Sequence, residues 1–217
     1  GAQSLDDKVL QINGRGHTAE AVRNAARLIR EYPGAPFSLG LQMMTGLPGE
    51  DAESRALTER AVLDIRPDTL RLYPTVVIRG TELARRMEEG EYRPPGLEET
   101  VAFAAPMLER YEKAGIRIIR AGLHASRALE AEMLGGAYHP AFRELCQSEL
   151  FRKNLERALA GQPKGSGILH VHPRFVSIAA GQKRKNLLWA EGRGYSLKIR
   201  GDEAVMPGEF RLDFEKN

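Results

Sequence analysis

Up to about residue 121, this 217-residue chain alternates short apolar runs with longer stretches of helical period. That is the pattern of βαβ units and a parallel sheet. Thr18 suits an N-cap, and Ala19 to Tyr32 sets Val22, Ala25, Ala26 and Ile29 on one helix face before Pro33-Gly34 stops it. A strand from Ser38 to Met44 ends at Thr45-Gly46-Leu47-Pro48-Gly49. A second helix runs from about Asp51 to Ile65, with Ala56, Leu57, Val62 and Leu63 among its expected core positions. Thr69 to Tyr73 and Ile116 to Arg120 read as further strands. Between them lie an irregular excursion from Val76 to Pro95, with one short helix, and a long amphipathic helix from Leu97 to Ala114. Pro106 inside that helix should kink or split it.

From His124 to Gln162 the pattern is mostly helical, with a break at Gly135-Gly136. Four of the six residues from Gln162 to Gly167 are Gly, Pro or Ser, which marks a linker. Beyond it the order is β-α-α-β: a strand at Ile168 to Val171, helices at Arg174 to Ala180 and Lys185 to Ala190, and a strand at Tyr195 to Arg200. The expected organisation is therefore an α/β part over 1–123, a helical connector over 124–163 and a small basic α+β domain over 164–217.

No apolar run approaches the roughly 18 residues a membrane-spanning helix needs, and no leader pattern opens the chain, so a cytoplasmic protein is expected. Gly1-Ala2-Gln3-Ser4 begins as though in mid-element, which suggests a piece of a longer protein. Cys146 is the only cysteine, so this chain alone offers neither an intramolecular disulfide nor an iron-sulfur cluster. Charge is uneven: the net is +3, yet Ile168 to Gly201 holds seven Lys/Arg against one acid. Such asymmetry points to a polyanion bound by the C-terminal part.

Parallel α/β sheets place ligands where strands run into the following loops. Gln3 and Ser4 at one such end can hydrogen-bond a ribose or an amino-acid moiety, Arg15 between glycines can clamp a carboxylate, and Gly46 and Gly49 let a flat ring lie against backbone. Each signal has a plain alternative, an ordinary turn or a solvated loop residue. The strand at Arg71 to Tyr73 ends in the same way, at Pro74-Thr75.

Taken together, Gly1-Ala2-Gln3-Ser4, Arg15-Gly16-His17-Thr18, Met43-Met44-Thr45-Gly46-Leu47-Pro48-Gly49, Arg66-Pro67-Asp68, Leu72-Tyr73-Pro74-Thr75, Gly80-Thr81-Glu82-Leu83 and Gly90-Glu91-Tyr92 stand in an order that resembles the later half of the radical S-adenosylmethionine domain. The match is closest to proteins related to the catalytic subunit of Elongator, and looser to the oxygen-independent coproporphyrinogen III oxidase group. The resemblance implies half of a (β/α) barrel binding S-adenosylmethionine beside a four-iron four-sulfur cluster. Gln3, Ser4, Arg15, Gly46, Leu47 and Pro48 would hold the cofactor, Gln42 and Tyr73 would face the substrate, and His17 would brace its loop. The family's three-cysteine motif is absent here, so the intact chemistry cannot begin in this chain alone. The open edge at Gly1 to Ser4 then calls for the missing barrel half or a covering partner. Nothing in residues 124 to 217 reads as an acetyltransferase.

The Gly181-Gln182-Lys183-Arg184-Lys185-Asn186 turn between two short helices resembles a minimal KH-like RNA-binding motif, although Arg184 stands at its fourth position instead of Gly. Arg174, Lys183, Arg184 and Lys185 are the expected nucleic-acid contacts, with RNA, plausibly tRNA, as partner. Trp189 beside Leu187 and Leu188 suits a core anchor better than a stacking platform. His170-Val171-His172 keeps only a weak metal idea alive, and Cys146 reads as an inert small hydrophobe. Three functions stay open: part of a radical enzyme acting on RNA, a non-catalytic RNA-binding module, or a radical enzyme directed at a porphyrin or other small molecule.

Overall fold

Capping side chains set where the helices begin in the computed structural model, which describes residues 1–34 and 37–214. Asp6 accepts from the Lys8 and Val9 amides to open α1 (Asp7–Ile12), and Thr18 accepts from the Ala21 amide to open α2 (Ala19–Glu31). After β1 (Gly40–Thr45), Asp51 and Ser54 cap α3 (Ala52–Ile65) reciprocally, and Arg66 closes it in the left-handed region. The chain continues through β2 (Thr69–Pro74), β3 (Val76–Ile78), α4 (Glu82–Glu88), α5 (Leu97–Lys113), β4 (Arg117–Ala121), α6 (Arg127–Glu132) and β5 (Met133–Gly136). Then follow α7 (Phe142–Leu159), β6 (Gly165–Val171), α8 (Val176–Ala180), α9 (Lys185–Glu191), β7 (Tyr195–Gly201) and β8 (Phe210–Phe214).

Contacts divide the chain into Gly1–Arg143 and Glu144–Asn217. In the first unit, β1, β2 and β4 form a parallel sheet in that order, and Gln3 adds one parallel bridge beside Met43 on the open edge of β1. Strand alternation gives this sheet two faces. Leu41, Met43, Leu70, Leu72, Ile118 and Ala121 are buried, and α5 contributes Ala104, Ala105, Leu108 and Tyr111 to the buried set. Gln42, Met44, Arg71, Tyr73 and Arg120 alternate with those residues on β1, β2 and β4, and each is half-buried or exposed.

Several local expectations are corrected. Val76–Ile78 and Met133–Gly136 are strands, paired antiparallel, where an irregular excursion and a helix break were expected. A Cβ on Gly136 would sit 2.4 Å from the Thr75 carbonyl, so only glycine permits that pairing. The helix over Leu97–Lys113 runs unbroken through Pro106, with its apolar face buried on both sides of the proline. In α3 the buried face is Ser54, Thr58, Ala61 and Val62, and Leu57 points to solvent. In α2 only Ala26 is buried, and Ala25 and Ile29 are exposed.

In the second unit, β6 lies between β7, to which it is parallel, and β8, to which it is antiparallel. The strand Phe210–Phe214 had no counterpart in the sequence reading. Phe151, Leu155 and Leu159 of α7 share one core with Leu169, Val171, Ala179, Ala190 and Leu197, so this helix completes the unit. The Gln162–Gly167 stretch is consequently a turn inside it, braced by the Tyr195 hydroxyl donating to the Leu159 and Gln162 carbonyls. Trp189 packs against this core with the Arg193 guanidinium 4.4 Å and the Arg152 guanidinium 5.4 Å from its ring centre. Among the described residues no helix is long and apolar enough to cross a membrane.

Asn186 holds the second unit's helices together. Its buried side-chain amide donates to the Ser148 carbonyl and hydroxyl and to the Ala179 carbonyl at 3.0–3.1 Å. Asn186→Ala should cost about 1–3 kcal/mol, the penalty for leaving buried acceptors unmatched, read as a lower denaturant midpoint in urea unfolding.

Candidate functional site

Gln3 sits at the open edge with φ 66°, a left-handed conformation of the kind that collects at functional sites. Its amide donates to the Gln42 carbonyl at 2.9 Å and its carbonyl accepts from the Met44 amide at 2.8 Å, which seats it beside β1. Its side-chain Oε1 is buried and has no hydrogen-bond partner. Arg15 reaches the same sheet: its Nη2 lies 3.8 Å from the sulfur of Met44, on the face where Gln42 and Tyr73 stand. His17 Nε2 is 3.1 Å from the Ala2 carbonyl, bracing the loop between. Ser4 is not brought to this face. Its hydroxyl is 3.2 Å from the Thr58 hydroxyl and accepts from the Asp6 amide.

Next to these residues the Gly46 peptide is gripped at both ends. Glu50 Oε1 accepts from the Gly46 amide and the Thr45 hydroxyl, each at 3.0 Å, and the Tyr92 hydroxyl donates to the Gly46 carbonyl at 2.5 Å. With φ 78°, and with Pro95 Cγ 2.7 Å from where a Cβ would stand, position 46 accepts only glycine. Leu47 and Pro48 are buried, and the Pro48 carbonyl accepts from Asn13 of the α1 cap at 2.9 Å. The loop is therefore rigid before any ligand arrives. Burial pushes the Glu50 carboxyl above its ordinary 4.5, against the opposing pull of the Gly46 amide, the Thr45 hydroxyl and Arg55. Burial, with Glu50 adding to it, also raises the Tyr92 hydroxyl. Thr75 Oγ1 is a second buried polar atom without a partner. Glu50, Tyr92 and Thr75 escaped the sequence reading as site residues, although Glu50 directly follows the Gly-Leu-Pro-Gly turn.

In the second unit, Gly181 (φ 75°), Lys183 (φ 52°) and Arg184 (φ 63°) carry positive φ through one short turn. A Cβ on Gly181 would lie 3.0 Å from the Asn186 amide carbon. Lys183, Arg184 and Lys185 are thereby brought together, all exposed, while the exposed Arg174 lies before α8, its amide donating to His172 Nδ1. His170 Nε2 is 3.0 Å from an Asp213 carboxylate oxygen, and among the described residues no group of three or more His, Cys, Asp or Glu is arranged to hold a metal ion. Burial pushes the Cys146 thiol up to about 12, so its reactive thiolate is suppressed at neutral pH.

Two outcomes follow from the clamp. Tyr92→Phe, which deletes one buried hydrogen bond, should lower stability by about 0.5–1.5 kcal/mol in thermal unfolding. A buried acid with a raised pKa stabilises fully below its ordinary value, here 4.5, and that contribution fades as pH rises through the folded-state pKa. Glu50→Gln, which keeps an acceptor for the Gly46 amide, should remove this slope, visible in unfolding midpoints measured upward from about pH 4.

The chain is similar to known proteins over part of its length. The Radical_SAM C-terminal domain model matches residues 67–152. A tRNA uridine(34) acetyltransferase of Methanocaldococcus jannaschii is 32% identical over 104 residues, 46% of this chain and 19% of that protein. Human Elongator complex protein 3 is 37% identical over 108 residues, 47% of this chain and 19% of that protein. The solved structure of the archaeal Methanocaldococcus infernus Elp3 with an N-terminus deletion (1–46) superposes with a TM-score of 0.59 at 25% identity, over 71% of this chain and 35% of that one. The chain thus matches about a fifth of the length of these curated relatives. The chain is therefore similar to Elongator-related proteins over about half of its own length, and its likeness to the Radical_SAM C-terminal domain spans residues 67–152.

Proposed function

We propose that the first unit holds the later half of a radical S-adenosylmethionine barrel and that the second unit, α7 included, is a KH-like RNA-holding domain, working on tRNA in the cytoplasm. What carries the reading is that Gln3 and Arg15 meet β1 at Met43 and Met44, beside Gln42 and Tyr73 on one face of the parallel sheet, with the clamped Gly46 loop directly following that strand. The residues present fit S-adenosylmethionine: Gln3 Oε1 is a buried acceptor without a donor, and Arg15 is an exposed guanidinium. Arg15 would hold the methionine carboxylate, Gln3 the ribose, and Gly46, Leu47 and Pro48 the adenine. In the intact family the bound cofactor supplies a hydrogen-abstracting radical.

The residues do not fit the four-iron four-sulfur cluster. One buried cysteine whose thiol resists ionisation cannot replace three thiolates. The missing barrel half, or a partner covering the edge beside Gln3, completes the enzyme. The names of the relatives carry tRNA uridine(34) chemistry, and the exposed Lys183-Arg184-Lys185 turn supports an RNA substrate here. The exposed Lys183-Arg184-Lys185 turn is equally consistent with a second reading, a non-catalytic RNA-binding module with the barrel portion as scaffold.

Isothermal titration with S-adenosylmethionine separates them. Binding that falls about tenfold or more in Arg15→Ala supports the cofactor groove, since a charge-assisted contact is worth roughly 1.5–3 kcal/mol; no binding by the wild-type chain favours the scaffold. Replacing Lys183, Arg184 and Lys185 with Ala should weaken tRNA binding and reduce the slope of log K against log salt by about 2, at roughly 0.7 per phosphate contact. An unchanged slope would move the RNA away from this turn.

A further inference from the structure

The strand register of the first unit sets two arginines side by side. β2 and β4 pair Thr69 with Arg117 and Leu70 with Ile118, then skip Ile119 and pair Arg71 with Arg120 and Leu72 with Ala121. Without that bulge Ile119 would stand beside Arg71. The extra residue turns Arg120 onto the face of Arg71, the kind of re-aiming that bulges near sites perform. On the other side Arg71 pairs with Gln42 of β1, and one row nearer the strand ends Met44 pairs with Tyr73 under the Arg15 guanidinium.

Neighbouring strands run about 4.8 Å apart, and like-charged residues placed directly opposite one another across them are destabilising. No carboxylate neutralises the two arginines among the described residues, and only backbone carbonyls meet Arg120. Arg120 donates only to the Gly122 and Leu123 carbonyls at 3.0 Å, Arg15 only to the Met44 sulfur, and among the described residues no carboxylate pairs with Arg15, Arg71 or Arg120. Arg71 is exposed.

We propose that Arg71 and Arg120 form an oxyanion site for a phosphate group, distinct from the carboxylate position assigned to Arg15. A single guanidinium fork satisfies a carboxylate, whereas the several oxygens of a phosphate, with charge near −2 in a monoester and −1 in a diester, can take bonds from two. Guanidinium suits this role better than ammonium, because its planar fork bonds two oxygens at once. The site deepens the proposed function and rests on it only for the identity of the face: the substrate entering beside S-adenosylmethionine carries a phosphate.

The test uses the whole chain and pyrophosphate as probe, read by thermal unfolding and calorimetry. Pyrophosphate should raise the wild-type Tm, bind about tenfold to a hundredfold more weakly to Arg71→Gln, and keep intermediate affinity for Arg71→Lys. Without ligand, Arg71→Gln should melt higher than wild type, because the repulsion from Arg120 is gone; a purely structural arginine would melt lower. Equal pyrophosphate binding by wild type and Arg71→Gln, or no wild-type response, overturns the site. A fall in the ligand-free Tm of Arg71→Gln overturns it as well. S-adenosylmethionine titrated into the same variants separates the two claims: its failure to bind sinks the cofactor groove and leaves the pyrophosphate result standing. Displacement of pyrophosphate by a single-stranded RNA oligonucleotide assigns the phosphate to a nucleic-acid backbone, and resistance to displacement assigns it to a phosphorylated small molecule.

Discussion

Strands of a parallel sheet are normally covered on both faces, because their crossover helices pack on either side. In this chain one face of the β1-β2-β4 sheet is filled by Leu41, Met43, Leu70, Leu72 and Ile118, and the other carries Gln42, Met44, Arg71, Tyr73 and Arg120 in partial contact with solvent. That inequality organises the rest of the first unit. The apolar face provides the burial, roughly 1.5–3 kcal/mol for each large side chain withdrawn from water, that holds the strands in register. Register then decides which polar groups stand together on the opposite face.

Rigidity at the site comes from polar groups that cost stability unless every partner is present. The Gly46 peptide is held by Glu50 and Tyr92, both desolvated, and it can adopt φ 78° only because residue 46 lacks a Cβ that Pro95 would obstruct. Buried acceptors strengthen the hydrogen bonds they receive, and they make any unmet bond costly. Gln3 Oε1 and Thr75 Oγ1 are such unmet groups in the same region. Asn186 plays the holding part in the second unit, where its amide ties α9 to α7 and fixes the point at which the basic turn rejoins helix. In both units a glycine, Gly46 or Gly181, makes room for the polar clamp.

Much of the element order was legible because period and punctuation are local. Thr18, Asp51 and Arg66-Pro67 mark real helix boundaries, and the strands at Gly40–Thr45 and Thr69–Pro74 follow from short apolar runs between turns. The misses were non-local. Met133–Gly136 becomes a strand only by pairing with Val76–Ile78, more than fifty residues away in sequence. Phe210–Phe214 is a strand because β6 offers it an edge. Pro106 stays within an unbroken helix because tertiary burial along α5 outweighs the local penalty. Of the proposed site, Gln3, Arg15 and Gly46 were expected from strand-end position and turn chemistry and Gln42 and Tyr73 from the resemblance, whereas Glu50, Tyr92 and the Arg71–Arg120 pairing carry no local signal.

The amino-acid sequence by itself determined the α/β character of the first part, the basic C-terminal turn, and the exclusion of a cluster built on three thiolates from this chain. Each of these depends on composition, or on neighbours a few residues apart. Tertiary structure alone decided that Ser4 turns into the core toward Thr58, that α7 belongs to the C-terminal unit, and that a bulge at Ile119 sets Arg120 beside Arg71. Those outcomes depend on which side of a strand or helix is buried against distant residues. A one-residue change of register reverses that side while leaving the local pattern unchanged.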